Sequence, residues 1–144
     1  MPQRVVFDTN VLLSLFVFAD SRFQPLRQQI ELAAWRALTN ATCLAEFKRV
    51  LDYPIFKLDK PTQQQAFKSY SGMADHFSGE PLRDFPLPKC KDRDDQKFLE
   101  LARDAAADCL ITADKALLIL ARRQKMSGRF RILTPDAALA ELTG

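Results

Sequence analysis

Apolar residues along the chain fall into runs that switch between a two-residue and a helical period, and the switching predicts the elements. Val5-Val6-Phe7 is a β-branched and aromatic run that meets Asp8-Thr9-Asn10, and Val11-Leu12-Leu13 comes at once after it. That order predicts a buried strand over about Arg4 to Phe7, a tight turn, and a helix with Val11, Leu12, Leu15 and Phe16 on one face. The helix ends by Asp20-Ser21, and Phe23-Gln24-Pro25 opens a second, with proline in its first turn. Leu26, Ile30, Ala33 and Ala34 keep helical spacing up to Trp35, and Arg36 to Thr39 fits a second strand. Asn40 and Thr42 then offer caps for a helix through Leu44, Phe47, Val50 and Leu51. Tyr53-Pro54 stops that helix, because the residue before proline avoids helical geometry. Pro61 opens another, whose apolar stripe is Phe67, Tyr70, Ala74 and Phe77, with His76 among its polar residues.

A loop from Gly79 to Pro88 carries Pro81, Pro86 and Pro88, and the charge run Lys91-Asp92-Arg93-Asp94-Asp95 lies just beyond it. Phe98, Leu101, Ala102 and Ala105 make the next helical face. Asp108 to Thr112 reads as a buried strand, Asp114 to Arg123 as a helix and Phe130 to Thr134 as a last strand, with Pro135 starting the terminal helix. Strands alternating with helices predict a parallel sheet covered on both faces. The proline-rich loop is the one weak point, but the residues beyond it cannot make a core alone. Residues 1–144 therefore read as a single domain, long enough to bury a substantial core.

Composition changes this picture little. The chain is 47% hydrophobic and 27% charged, with only 4 glycines, which is ordinary for a globular protein. No apolar run approaches the ~18 residues of a membrane span, and Met1-Pro2-Gln3-Arg4 leads straight into the first strand without a signal-like segment. Cys43, Cys90 and Cys109 are odd in number and far apart, which predicts neither a disulfide framework nor a zinc site but reduced thiols in a cytosol, and so a cytoplasmic protein. A net charge of +3 permits a polyanionic partner without demanding one.

The acids carry more. Asp8 ends the first strand, at the sheet edge where ligands bind in open parallel sheets. Glu46 lies in the helix after the second strand, Asp95 in the first turn of a helix, and Asp114 just beyond the strand ending at Thr112. Taken singly, Asp95 and Asp114 fit helix caps, and Glu46 fits a solvated helix residue. Asp8 after Val-Val-Phe is in an expensive place unless it is paired. Carboxylates converging on one edge repel unless a divalent cation holds them, and hard oxygen ligands select Mg²⁺ or Mn²⁺. A single histidine, His76, excludes a two-histidine ribonuclease mechanism, and neither a phosphate-cradling G-x-x-x-x-G-K-[ST] loop nor a G-x-S-x-G elbow occurs. Metal-assisted hydrolysis remains.

Four motifs in order, Val6-Phe7-Asp8-Thr9-Asn10, Ala45-Glu46-Phe47, Asp92 to Leu99 and Leu110-Ile111-Thr112-Ala113-Asp114-Lys115, span nearly the whole chain. In these the chain resembles the PIN-domain nucleases, including the VapC-like ribonuclease toxins of toxin–antitoxin pairs. The resemblance implies a three-layer α/β/α sandwich with a mostly parallel sheet of about five strands. It implies an Mg²⁺- or Mn²⁺-dependent endoribonuclease, leaving a 5′-phosphate and a 3′-hydroxyl, with Asp8, Glu46, Asp95 and Asp114 as catalytic and metal-binding residues. Asn10 and Thr112 would support them, Asn10 by orienting Asp8 or a bound water, and Asp92 is an additional acid. RNA and an antitoxin protein are the implied partners, and a homodimer is an option. One departure from the family pattern is Ala113, where many members have glycine before the last aspartate. Lys48, Arg49, Lys89, Lys91, Arg93, Lys115, Arg122 and Arg123 flank the acids and suit backbone phosphate contacts. Two other readings stay open: a catalytically silent PIN-like scaffold that binds RNA or protein, against which all four acids stand intact, and another Mg²⁺-binding α/β phosphotransfer domain. A phosphoacceptor of that second kind wants an acid pair beside strand one, which Arg4-Val5-Val6-Phe7 lacks.

Overall fold

In the computed structural model, residues 2–82, 85–122 and 130–143 are described. In chain order they form β1 (Gln3–Phe7), α1 (Thr9–Phe16), α2 (Gln24–Glu31), β2 (Trp35–Thr39), α3 (Ala41–Leu51), α4 (Lys60–Met73), β3 (Asp75–His76), α5 (Gln96–Asp104), β4 (Cys109–Ile111), α6 (Lys115–Leu118), β5 (Arg131–Leu133) and α7 (Pro135–Thr143). All pairings in the five-stranded sheet are parallel, in the order β3-β2-β1-β4-β5.

Alternation along the strands divides the core in two. Val5, Phe7, Ala37, Cys109 and Ile111 point to one face, where Leu15, Leu26, Phe47, Tyr70 and Ala138 cover them from α1, α2, α3, α4 and α7. Val6, Leu38, Leu110 and Ile132 point to the other, against Phe98, Leu101, Leu117 and Leu120 from α5, α6 and the turn after α6. A strand buried on both faces has no polar side to show, which is why β1 and β4 read as continuous apolar runs. The result is an α/β/α sandwich. Among the described residues no helix is long and apolar enough to cross a membrane, and all three cysteines are buried free thiols.

The strand order also places the site. From β1 the chain builds outward through β2 and β3, then returns to lay β4 on the other side of β1. The order therefore reverses between β1 and β4, and beyond their carboxyl ends the loops diverge and leave a crevice.

Four expectations change. Trp35 does not end a helix: α2 stops at Glu31, Ala33 turns the chain with a left-handed φ of 60°, and Trp35 begins β2, paired with Gln3 and packed on Phe7 at 6.3 Å. The stripe of α4 is shorter than its spacing predicts. Its helix ends at Met73, and Phe77 belongs to the opposite core face from Tyr70 and Ala74. His76 is accordingly a residue of edge strand β3, with Nε2 2.8 Å from the Ser71 carbonyl oxygen. The helix expected from Asp114 to Arg123 is α6 followed by a 3₁₀ turn over Ile119–Arg122, and Arg123 lies outside the described residues.

Candidate active site

Register brings the first pair of polar groups together. Phe7 pairs with Ile111, so the next residues, Asp8 and Thr112, face each other just past the sheet edge. The Thr112 hydroxyl donates to Asp8 Oδ2, while Oδ1 accepts the Val11 N–H at 2.9 Å and caps α1. Thr112 Oγ1 also accepts the Asp114 N–H at 3.0 Å, and Asp114 Oδ1 accepts the Ala116 N–H at 2.7 Å, capping α6. One fully buried hydroxyl thus ties together both acid-bearing turns. Ala113, between them, is not among the residues with positive φ, so this turn needs no glycine.

Asp92 and Asp95 arrive from the segment before α5. Asp92 caps a 3₁₀ turn by accepting the Asp94 N–H at 3.0 Å. One carboxylate oxygen from each of Asp92, Asp95 and Asp114 lies within 4.8 Å of the others. Asp95 Oδ2 is buried, with no hydrogen-bond donor facing it among the described residues. Its neighbour Asp114 is another carboxylate, and the two share a hydrogen bond only when one carries a proton. Burial foremost, then the bond and charge of Asp114 and the charges of Asp92 and Asp8, push Asp95 up to about 7. Asp8 is likewise raised by burial and by Asp114, against the lowering effect of Thr112 and Val11. Among the described residues no salt bridge reaches Asp8, Asp92, Asp95 or Asp114. The cluster's oxygen-only donors and the orphaned Asp95 oxygen fit a hard divalent cation.

Glu46 has a different environment. Thr9 donates its hydroxyl to Oε1, Lys97 forms an ion pair with Oε2, and Arg49 stands 3.8 Å from that same oxygen. The Lys97 ammonium also donates to the Asp94 carbonyl. Sequence reasoning gave neither Thr9 nor Lys97 a role. A signal existed for Lys97: in the first turn of α5 an ammonium opposes the helix dipole, so a lysine there implies an anion facing it.

The acids meet in a cleft of about 260 Å³, lined by Asp8, Asn10, Glu46, Asp92, Asp95 and Asp114 among others, with Arg49, Tyr53 and Phe56 also on its wall. Asn10 is exposed on this cleft, whereas the bonds that orient Asp8 come from Thr112 and Val11. Lys91 and Arg93 alternate in sequence with Asp92 and Asp94 and turn the other way. With Lys89 and Arg103 they line a second cavity of about 660 Å³. The segment 91–95 is therefore a wall with acids on one side and bases on the other. Lys48 lies instead over the Phe67 ring at 5.9 Å, and Lys115 is exposed after Asp114.

The raised Asp95 has a measurable consequence. Its folded pKa of about 7 exceeds the ordinary 3.8, so the metal-free fold binds more protons than the unfolded chain between those values and loses stability as pH rises through them. A cation competes with that proton. The melting-temperature increase caused by Mn²⁺ is expected to be larger at pH 8 than at pH 5.5 in scanning fluorimetry, and equal increments would contradict this account.

The family model described as a PIN domain matches residues 4–116 of the chain. No curated protein matches it. The matched span begins in β1 and runs past Asp114, and so contains every acid of the cleft. With an all-parallel α/β/α sandwich and acids gathered where its strand order reverses, the chain belongs to the PIN-domain nuclease family.

Proposed function

We propose that the protein is an Mg²⁺- or Mn²⁺-dependent endoribonuclease acting as the toxin of a toxin–antitoxin pair. The observation that carries the reading is the Asp92, Asp95 and Asp114 cluster beside Asp8, with a buried Asp95 oxygen that no donor among the described residues reaches. Asp8, Asp95 and Asp114, with Glu46 and Asp92, would hold the cation, which when bound lowers the pKa of a water and offsets charge on the phosphoryl oxygens. The remaining work falls to the chain. Thr112 fixes Asp8 and the Asp114 turn, and Thr9 with Lys97 holds Glu46 in one orientation. Arg49 at the mouth and Lys89, Lys91 and Arg93 in the neighbouring groove supply charge for backbone phosphates, contacts that give affinity without sequence choice.

The toxin assignment rests on the four motifs and their likeness to VapC-like ribonucleases, and it brings an antitoxin protein and a homodimer as partners. One feature favours a silent scaffold instead: Lys97 already neutralises Glu46 from within the chain. Cleavage of an internally labelled RNA decides between them. Activity is expected with Mn²⁺ or Mg²⁺ and none with EDTA, together with growth arrest on expression. Binding of RNA without cleavage under any divalent ion would establish the scaffold.

A further inference from the structure

One wall of the acidic cleft is aromatic. Tyr53 and Phe56 both line it, with ring planes parallel to within 1° and centroids 6.5 Å apart. Phe56 is half-buried and rooted in the core, whereas Tyr53 is 44% exposed, and Phe18, also exposed, packs against Phe56 at 5.7 Å. The segment is held firmly. The Tyr53 N–H donates to the Val50 carbonyl at 3.0 Å, Phe56 N–H to Tyr53 at 3.1 Å and Lys57 N–H to Pro54 at 3.1 Å. Lys57 closes this turn at a left-handed φ of 51°, a conformation a lysine keeps only where its surroundings impose it.

Single exposed aromatics are common and need no account. Here the two rings lie in parallel, and they open onto the same small cleft as six carboxylates and Arg49. An apolar protein surface matches such a wall poorly. An unpaired nucleotide matches it well, because it offers a flat base one sugar away from the phosphate that the charged part of the cleft would take. Base–aromatic stacking tolerates any sequence, since every base has a π-face, and a duplex withholds those faces in its own stack. Resting on the nuclease reading above, we propose that Tyr53 and Phe56 are a stacking platform for an unpaired base next to the phosphate at the acidic cleft.

The test is fluorescence anisotropy in Ca²⁺ with a labelled single-stranded oligoribonucleotide and an abasic strand of the same length, using wild type, Tyr53→Ala and Tyr53→Trp. Wild type is expected to prefer the strand with bases. Tyr53→Ala should lose about 5-fold or more in affinity for it and little for the abasic strand, and Tyr53→Trp should bind like wild type. Equal loss on both strands, no loss at all, or a change confined to the sedimenting mass would overturn the platform, the last showing a face between protein copies. The two readings fail separately. Base-dependent binding lost in Tyr53→Ala but without cleavage by wild type keeps the platform and sinks the nuclease. Cleavage and binding unchanged in Tyr53→Ala do the reverse.

Discussion

Asp8→Asn is expected to remove metal-dependent cleavage while leaving the metal-free fold at least as stable as wild type. The side chain is only 3% exposed, yet its environment accepts an amide. Asparagine Oδ1 can still take the Val11 N–H and cap α1. Its NH₂ would face Thr112 Oγ1, whose hydroxyl hydrogen is free to turn away while the oxygen accepts. Burial and Asp114 both raise the Asp8 carboxyl, so ionised Asp8 is a cost to the fold without a cation, and removing the charge relieves it. A neutral amide is a weaker ligand for a hard cation. Cleavage should therefore fall by about 100-fold or more, the scale on which removing one group that stabilises developing charge is felt. The Mn²⁺-induced rise in melting temperature should shrink with it. Equal cleavage by the variant would refute the role of Asp8, whereas lower stability without metal would refute the account of its electrostatics.

How far the sequence discloses the molecule depends on whether local signals agree with tertiary demands. β1 and β4 are legible because the stretches buried on both faces, Val5 to Phe7 and Cys109 to Ile111, are apolar throughout, and the polar residue ending each run, Asp8 and Thr112, marks the sheet edge. Helix starts are legible where a side chain caps, as Asn40 does with the Cys43 N–H, or where proline stands in the first turn, as Pro61 does in α4. Helix ends are not. Ala19, Ala33 and Ala106 take left-handed φ at or near the ends of α1, α2 and α5, where glycine is the usual signal, so nothing announces the stop. For the same reason the end of α2 blurs into β2. The two-residue β3 escapes because it is too short to show a period.

The acids divide the same way. Their types and order point to one edge from sequence alone, but their arrangement does not follow from spacing. That Asp92 sits in the tight trio with Asp95 and Asp114, and that Glu46 is met by Thr9 and Lys97, depend on how α3 and α5 pack across the cleft. Asp114 also shows that a capping and a ligand reading are not exclusive. Oδ1 caps α6 while the carboxyl stands in the acidic cluster.

Thr112→Val is the sharpest test of how the cleft is held. Valine keeps the shape and loses the hydroxyl, leaving Asp8 Oδ2 without its donor and the Asp114 N–H without its acceptor. A buried polar group left unsatisfied costs about 1–3 kcal/mol. Asp8 falls fully in that class, whereas the Asp114 amide is half-buried and water recovers part of its loss. Urea denaturation should report a destabilisation of about 2–4 kcal/mol on that account. The pH profile carries the positioning role. The Thr112 hydrogen bond lowers the Asp8 carboxyl, so its loss raises that group further, and the rising limb of the cleavage profile should move to higher pH. Thr112→Ser, which retains the hydroxyl, should keep the wild-type profile at a small cost in packing. A valine variant that loses stability without moving the profile would reduce Thr112 to a structural residue, and one that changes neither would show that the two acid-bearing turns hold each other without it.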